Sequence, residues 1–192
     1  MRDAIRKAFE ESIRAKRSFL EENLEGLVKV IDLIAQAFRR GNKLLLFGNG
    51  GSAADAQHIA AEFVNRFRIE RRPLPAQALT TDTSVITSIA NDYEYKEIFA
   101  KQVRALGKEG DVALAISTSG NAANVLAAIE ACTELKVVTI GLTGGKGGRM
   151  VGKVDHLLCV AGAQDTARIQ ETHILIGHVI CDMVDKELFS AP

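Results

Sequence analysis

The sequence predicts a three-layer α/β fold, in which helices cover both faces of a mostly parallel β-sheet. Two observations lead to this prediction. Short, continuous apolar runs, typical of buried strands, alternate along the chain with longer segments of helical periodicity. The two clearest runs, 44–47 and 112–116, each end in a loop rich in glycine or hydroxyl residues. Alternating strands and helices favour a doubly wound sheet, whose ligands bind at the carboxyl ends of the strands.

The N-terminal segment is predicted to be helical, because apolar residues recur at helical spacing as far as Phe38 and Gly41 then ends the pattern. This segment has no strand of its own to cover. Residues 1–41 are therefore predicted to form N-terminal helices that pack against another subunit, while residues 42–192 form the α/β domain.

The remaining elements follow in regular alternation. Strands are predicted at 44–47, 112–116, 137–142 and 156–160, with a weaker candidate at 76–79. Helices are predicted at 52–67, 83–90, 94–106, 122–134 and 166–188. Pro73 and Pro75 break the chain before the weaker strand, and the glycines at 144–148 predict a flexible turn. This order of elements is typical of Rossmann-like and flavodoxin-like sheets.

Composition limits the class of protein. The length of 192 residues suits one domain with a helical extension, and the 24 basic and 24 acidic residues cancel. No overall positive field exists to hold nucleic acid, so an anionic ligand must be bound locally. We expect Cys132, Cys159 and Cys181 to be buried free thiols, as in a reducing compartment. With no secretory signal and no apolar run of about 20 residues, a cytoplasmic protein without a membrane partner is expected.

Two loops are candidate ligand sites. Residues 117–121, Ser-Thr-Ser-Gly-Asn, place three hydroxyls and a glycine between a predicted strand and a helix. Hydroxyls and free N–H groups at a helix N-terminus suit a phosphate dianion, and ordinary N-capping of the helix is the alternative. Residues 48–52, Gly-Asn-Gly-Gly-Ser, lack the Gly-Lys-Ser/Thr of a Walker A motif and the third glycine of GxGxxG. A site of close ligand approach and a plain tight turn are both open for this loop.

Candidate acid–base residues lie on two predicted helices. His58 and Glu62 are four residues apart after the glycine loop, so they share one face, with Arg66 one turn further. An imidazole and a carboxylate in one pocket can serve as acid and base, although a solvated surface pair is the commoner outcome for this spacing. His178 lies in an apolar stretch of the last helix, where a satisfied core histidine is the alternative to a catalytic one. Gln170 lies two turns earlier on that helix.

Four segments together resemble the SIS (sugar isomerase) domain and, over the whole chain, the phosphoheptose isomerases. These segments are residues 48–66, 89–92, 110–121 and 167–173. The resemblance implies a ketose–aldose isomerase that converts sedoheptulose 7-phosphate to D-glycero-D-manno-heptose 7-phosphate through an enediol. It also implies a homotetramer and a place in heptose biosynthesis for the lipopolysaccharide core.

The resemblance implies a role for particular residues. In that family, the residues that match Glu62 and His178 are the catalytic base and its acid/base partner. An optional Zn²⁺ site matches His58, Glu62, Gln170 and His178, whose mixed nitrogen and oxygen donors suit zinc. Because about 12 Å of helix separates Gln170 from His178, they share an ion only if their side chains lean together, or else they serve from different subunits. The implied substrate-binding residues are Asn49, Gly50, Gly51, Ser52, Glu62, Arg66, Asn91, Asp92, Ser117, Thr118, Ser119, Asn121 and Gln170.

Two positions depart from the family pattern. Ala122 stands where many members have a serine that contacts phosphate, and Ala167 stands where many have an aspartate, with Asp165 two places earlier. We expect weaker phosphate binding rather than inactivity. Asp92 also has an alternative role as an ordinary turn residue.

The main rival hypothesis is a DnaA-binding initiator-associating scaffold of the same fold, which segments 65–67 and 101–107 also resemble. Scaffold members typically lack the glutamate and the C-terminal histidine, so the presence of Glu62 and His178 favours catalysis. A sugar-phosphate-sensing regulator is a third hypothesis. Such sensors usually carry a DNA-binding domain, for which 192 residues leave no room.

Overall fold

The computed structural model describes residues 1–189 and contains one sheet of five parallel strands, in the order β2-β1-β3-β4-β5. The strands are β1 (Leu44–Gly48), β2 (Ala76–Ala78), β3 (Val112–Ser117), β4 (Val138–Gly144) and β5 (His156–Val160). The helices are α1 (Arg2–Arg39), α2 (Gly51–Val64), α3 (Thr83–Asp92), α4 (Ala100–Leu106), α5 (Ala123–Glu134) and α6 (Thr166–Phe189). The predicted α/β class and all five predicted strands are confirmed.

Both faces of the sheet are buried, because successive side chains of each strand point to opposite sides. Leu44 and Leu46 enter the apolar cluster under α1, α2 and α6, whereas Leu45 and Phe47 enter the cluster under α3, α4 and α5. Every residue of β1 and β3 is buried. This arrangement is the predicted three-layer fold, and it explains why the strands have continuous apolar sequences.

The strand order places the two candidate loops side by side. The chain leaves β1 toward β2 on one side and later returns to β3 on the other, so the order reverses between β1 and β3. In open α/β sheets, ligands bind outside the carboxyl ends of the strands at such a switch point. Gly48 ends β1 directly beside Ile116 of β3, which brings the loops 48–52 and 117–121 to this point.

The N-terminal segment forms one continuous helix, where the sequence predicts N-terminal helices. A single glycine, Gly26, does not break a helix. The second half of α1 buries Val30, Ile34 and Phe38 against the domain, and α1 packs along α6 and β5. The first half leaves several large apolar side chains exposed, and Phe9 is 71% exposed. That residues 1–41 pack against another subunit stays a prediction.

Some predicted boundaries differ from the structure. Helix α2 ends at Val64 rather than at residue 67, because the following segment folds back and binds its last carbonyl groups. The helix predicted over 94–106 is divided into a 3-10 turn at Tyr95–Glu97 and the helix α4. Strand β4 extends to Gly144 and includes the start of the predicted glycine turn.

The cysteines are free thiols, and two of the three are buried as predicted. Burial raises the pKa of the Cys132 thiol to about 12, so this side chain behaves as an apolar group. Cys159 on the edge strand β5 is partly exposed. Within residues 1–189, none of the helices combines the length and the apolar character needed to cross a bilayer.

Candidate active site

The glycine loop after β1 packs closely against its neighbours at two glycines. A Cβ atom on Gly48 would lie 2.8 Å from the backbone oxygen of Ile116 and from the Cβ of Ser52. A Cβ atom on Gly51 would lie 2.5 Å from Nε2 of Gln170. The glycines therefore allow strand β3 and the side chain of Gln170 to approach the backbone of this loop.

A pair of asparagines joins the glycine loop to the helix that follows the loop 117–121. Nδ2 of Asn49 donates to Oδ1 of Asn124 at 2.8 Å, and Nδ2 of Asn124 donates to Oδ1 of Asn49 at 2.8 Å. The hydroxyl of Tyr95 also donates to Oδ1 of Asn49, at 3.3 Å. Asn124 is only 3% exposed and lies in the first turn of α5. These contacts hold the side chain of Asn49 in one orientation and leave one of its Nδ2–H groups for a ligand.

The loop 117–121 is shaped by backbone packing against the turn after β4. Gly120 has a φ of +65°, and a side chain at this position would meet the carbonyl group of Gly147. Oδ1 of Asn121 accepts from the backbone N–H of Arg149 at 3.0 Å, and its Nδ2 donates to the carbonyl of Ser119 at 3.0 Å. The side chain of Asn121 therefore holds the loop in shape.

The start of α5 supplies unsatisfied donors beside this loop. The N-cap residue is Ala122, and within residues 1–189 no side chain caps the helix. The hydroxyls of residues 117–119 are therefore not used as ordinary N-caps, and the first N–H groups of a 12-residue helix lack a side-chain partner. Oriented N–H groups with neighbouring hydroxyls suit an anion.

A cavity of about 300 Å³ opens beside the same loop, between Thr118, Ser119, the turn after β4 and the first residues of α6. Among the described residues, Lys146 is the one charged residue that lines it. The positive charge of Lys146 can attract a phosphate group here.

The second part of the site is a cluster of His58, Glu62 and His178, which lies between α2 and α6. Nε2 of His58 lies 2.9 Å from Nε2 of His178 and 3.3 Å from Oε1 of Glu62. All three residues belong to the same chain, although His178 is 120 positions away from His58. The structure therefore brings the predicted acid–base residues together, with His58 exposed and Glu62 and His178 partly buried.

Close packing of α2 against α6 makes this meeting possible. Gly177 precedes His178, and a Cβ atom on Gly177 would lie 2.5 Å from Cδ1 of the buried Ile59. The missing side chain lets the two helices approach beside the histidines. The ring of Phe67 stacks on His178 at a centroid distance of 5.5 Å, which fixes the imidazole from its other side.

The cluster is compatible with a bound divalent metal ion. One ligand atom from each of His58, Glu62 and His178 lies within 4.8 Å of the others. In a tetrahedral zinc site with bonds of about 2.1 Å, neighbouring ligand atoms are about 3.4 Å apart. An N–H group of His58 can be directed at only one of its two neighbours, whereas an ion would attract the lone pairs of all three residues. The donor set therefore fits Zn²⁺.

Four other predicted site residues have contacts that can be described. The amide of Gln170 lies against Gly51. Asn91 donates to Asp92 at 2.8 Å at the exposed end of α3. Arg66 lies beyond the end of α2, where it pairs with Glu70 at 3.5 Å.

Asp55 lies one turn before His58 on α2. Burial raises the pKa of its carboxyl group, an effect that the nearby His58 partly offsets, and Oδ2 has no hydrogen-bond partner within the described residues.

Four residues near the site were missed by the sequence analysis: Tyr95, Phe67, Arg71 and Asn124. Asn124 carries a signal, since it is a polar residue among the apolar residues 123–129 of the first two turns of α5. Tyr95, in the 3-10 turn, and Phe67, beyond the end of α2, carry no such signal. Arg71 lies in a run of basic and acidic residues that is typical of an exposed loop, yet its side chain is 1% exposed.

Comparisons with known proteins agree with this geometry. The SIS domain family model matches residues 8–144. A phosphoheptose isomerase from Thermodesulfovibrio yellowstonii is 53% identical over 190 residues, which is 99% of this chain and 94% of that protein. The solved structure of a phosphoheptose isomerase from Neisseria gonorrhoeae has a TM-score of 0.91 at 46% identity, and the match covers 96% of this chain and 98% of that one. A phosphoheptose isomerase from Francisella tularensis has a TM-score of 0.92 at 41% identity, with coverages of 96% and 97%.

Proposed function

The chain belongs to the phosphoheptose isomerases, a group within the SIS domain family, and from this premise we propose that it isomerises sedoheptulose 7-phosphate to D-glycero-D-manno-heptose 7-phosphate. The observation that carries the proposal is the cluster of Glu62, His58 and His178. The named relatives are isomerases, and the DnaA-binding scaffold gains no support from them.

The proposed reaction moves protons only and needs no oxidant or reductant. The carboxylate of Glu62 takes the proton from carbon 1 of the ketose, while the carbonyl oxygen at carbon 2 receives a proton from His178. The resulting enediol loses the proton of its carbon 1 hydroxyl and regains one at carbon 2, which forms the aldose. A carboxylate and an imidazole in one pocket can perform both transfers, and such general acid–base steps contribute about 10²–10⁴-fold each.

The phosphate group of the substrate is proposed to bind at the loop 117–121. The hydroxyls of Ser117, Thr118 and Ser119 and the uncapped start of α5 support this assignment. The glycine loop, through Asn49, Gly50, Gly51 and Ser52, is proposed to contact the sugar together with Gln170. Arg66, Asn91, Asp92 and Asn121 complete the proposed set. Ala122 offers no hydroxyl, so we expect phosphate to be held by one contact fewer than in relatives with serine there.

Zinc is proposed as the cofactor, held by His58, Glu62 and His178, with Gln170 as a further candidate ligand. When bound, such an ion would polarise the carbonyl group of the substrate as a Lewis acid. His58 lies between the other two residues. With or without the ion, it holds the carboxylate and the second imidazole at a short distance from each other.

We further propose that the protein works as a cytoplasmic homotetramer whose product enters heptose biosynthesis for the lipopolysaccharide core. The exposed apolar residues in the first half of α1 support the assembly, because a surface of this kind is usually buried in an oligomer. Neither the zero formal net charge nor the helix lengths favour nucleic acid or membrane as a partner.

The function is tested by incubating the purified protein with sedoheptulose 7-phosphate, with and without Zn²⁺, and measuring the heptose phosphate formed. We expect turnover by the wild type and a loss of at least about 10²-fold in Glu62→Gln, the usual scale for a general base. Glu109→Gln is the matched control, because Glu109 is an exposed carboxylate that pairs with Lys136 before the start of β3, at the opposite edge of the sheet. A wild type inactive in both conditions would refute the proposal, and binding to DnaA would then be measured.

A further inference from the structure

Arg71 joins the end of α2 to α6 through a buried guanidinium group. We propose that Arg71 is a positioning residue for the reaction, and that it fixes the backbone at Glu62 relative to the helix that carries His178. This inference rests on the proposed isomerase function. It concerns a residue that does not touch the substrate and acts through the backbone of the base.

The guanidinium binds three carbonyl groups at the end of α2. Its Nη2 donates to the carbonyl of Glu62 at 2.8 Å, and its Nη1 donates to those of Phe63 at 2.8 Å and Asn65 at 2.9 Å. The last turn of a helix leaves carbonyl groups without partners, and this end of α2 lacks the glycine that commonly closes a helix. Arg71 performs that closure, and one of the carbonyls that it holds belongs to the proposed base.

The same group is anchored to the opposite helix. Nε of Arg71 donates to Oδ1 of Asp185 at 2.9 Å, and both side chains are at most 2% exposed. Asp185 lies seven residues after His178 on α6, and this spacing of two turns places both on a similar face of the helix. One rigid guanidinium therefore links the backbone of Glu62 to the helix of its acid–base partner.

The energetics of buried ion pairs indicate that the Arg71–Asp185 pair contributes more to the position of α2 than to the free energy of unfolding. Burying a salt bridge brings a desolvation penalty, and apolar residues of similar volume often stabilise a fold equally well. Oδ2 of Asp185 has no hydrogen-bond partner within the described residues, so the desolvation cost of burying this carboxylate is only partly offset. An apolar pair cannot fix three carbonyl groups in direction, nor can the ammonium of lysine, which lacks the planar fork of arginine.

A loss of this anchor should therefore change the chemical step more than substrate binding. A misplacement of about 1 Å at a reacting group is sufficient to reduce a rate by about 10²-fold. The loop proposed to bind phosphate follows β3, and Arg71 makes no hydrogen bond to it. For Arg71→Lys we expect kcat to fall about 10- to 100-fold while KM changes less than about threefold.

The matched control is Arg39→Lys. Arg39 is also bound to α6, through the carbonyl and the side chain of Glu187, but it lies at the end of α1 and its hydrogen bonds do not involve α2. We expect its kcat to remain within about twofold of the wild type. Unfolding by urea is followed for each variant, so that a lower folded fraction is not mistaken for a lower kcat.

A second variant addresses the case in which Arg71→Lys does not fold. The double substitution Arg71→Met with Asp185→Leu removes both buried charges and is expected to fold, since such replacements are often neutral or stabilising. We expect it to be stable but at least about 10-fold lower in kcat. Wild-type kcat in a stable double variant or in folded Arg71→Lys would overturn this inference and leave the isomerase proposal intact. An inactive wild type would overturn both.

Discussion

The bridge formed by the two hydrogen bonds between Asn49 and Asn124 leads to a quantitative prediction for Asn124→Ala. This substitution removes both 2.8 Å hydrogen bonds to Asn49 and leaves the 3.3 Å contact from the exposed Tyr95. A neutral hydrogen bond contributes about 0.5–1.5 kcal/mol net, so the pair contributes about 1–3 kcal/mol. If this energy orients Asn49 for the transition state, kcat/KM should fall about 5- to 150-fold.

The assay compares kcat/KM for sedoheptulose 7-phosphate with the free energy of unfolding in urea. Asn23→Ala is the matched control, because Asn23 also makes reciprocal amide bonds, to the N–H and carbonyl of Cys159 at the edge strand β5, away from both loops. We expect this control to lose stability without losing kcat/KM. If Asn124→Ala lowers the free energy of unfolding but keeps kcat/KM within about twofold, the bridge is purely structural and the reasoning is refuted.

Three further predictions concern pH, metal and assembly. Burial lowers the pKa of His173 to about 4, although its hydrogen bond with the carbonyl of Thr143 opposes the effect. Between about pH 6.5 and pH 4, the unfolded chain therefore binds one more proton than the folded chain. The free energy of unfolding should therefore fall by up to about 3 kcal/mol over that range, and by clearly less in His173→Gln, as urea titrations at several pH values would show. Zn²⁺ at about 100 times its Kd should raise the thermal midpoint by about 5–10 °C in the wild type but not in His58→Gln; equal shifts in both would contradict the proposed site. Light scattering should give the mass of a homotetramer, and a monomer would contradict the role assigned to α1.

The sequence predicted the parts of the fold and site whose residues are contiguous. Runs such as 112–116 show buried strands directly, because a parallel sheet covered on both faces needs apolar residues at every position. The loop 117–121 could also be identified from contiguous residues, since its hydroxyls follow a strand and precede a helix. The spacing of His58 and Glu62 placed both on one face of α2, and the structure confirms that they are close.

Features that depend on distant residues could not be derived from the pattern. His178 lies in an apolar stretch, and only the resemblance to a family, followed by the crossing of α2 and α6 at Gly177, distinguishes it from a core histidine. The partner of Asn49 is 75 positions away, and the end of α2 is set by Arg71 rather than by a local stop signal. In each case the deciding contact crosses between elements, which propensity and periodicity do not describe.

The central claim is that Glu62 transfers a proton between carbon 1 and carbon 2 of the sugar through an enediol. The most direct test is NMR of the heptose phosphate formed from sedoheptulose 7-phosphate in D₂O. The account predicts that wild-type product carries some deuterium at carbon 2, because the proton held by Glu62 can exchange with solvent while the enediol is bound, and that Glu62→Gln forms product at least about 10²-fold more slowly. Full activity of Glu62→Gln would assign the base elsewhere and would contradict the account.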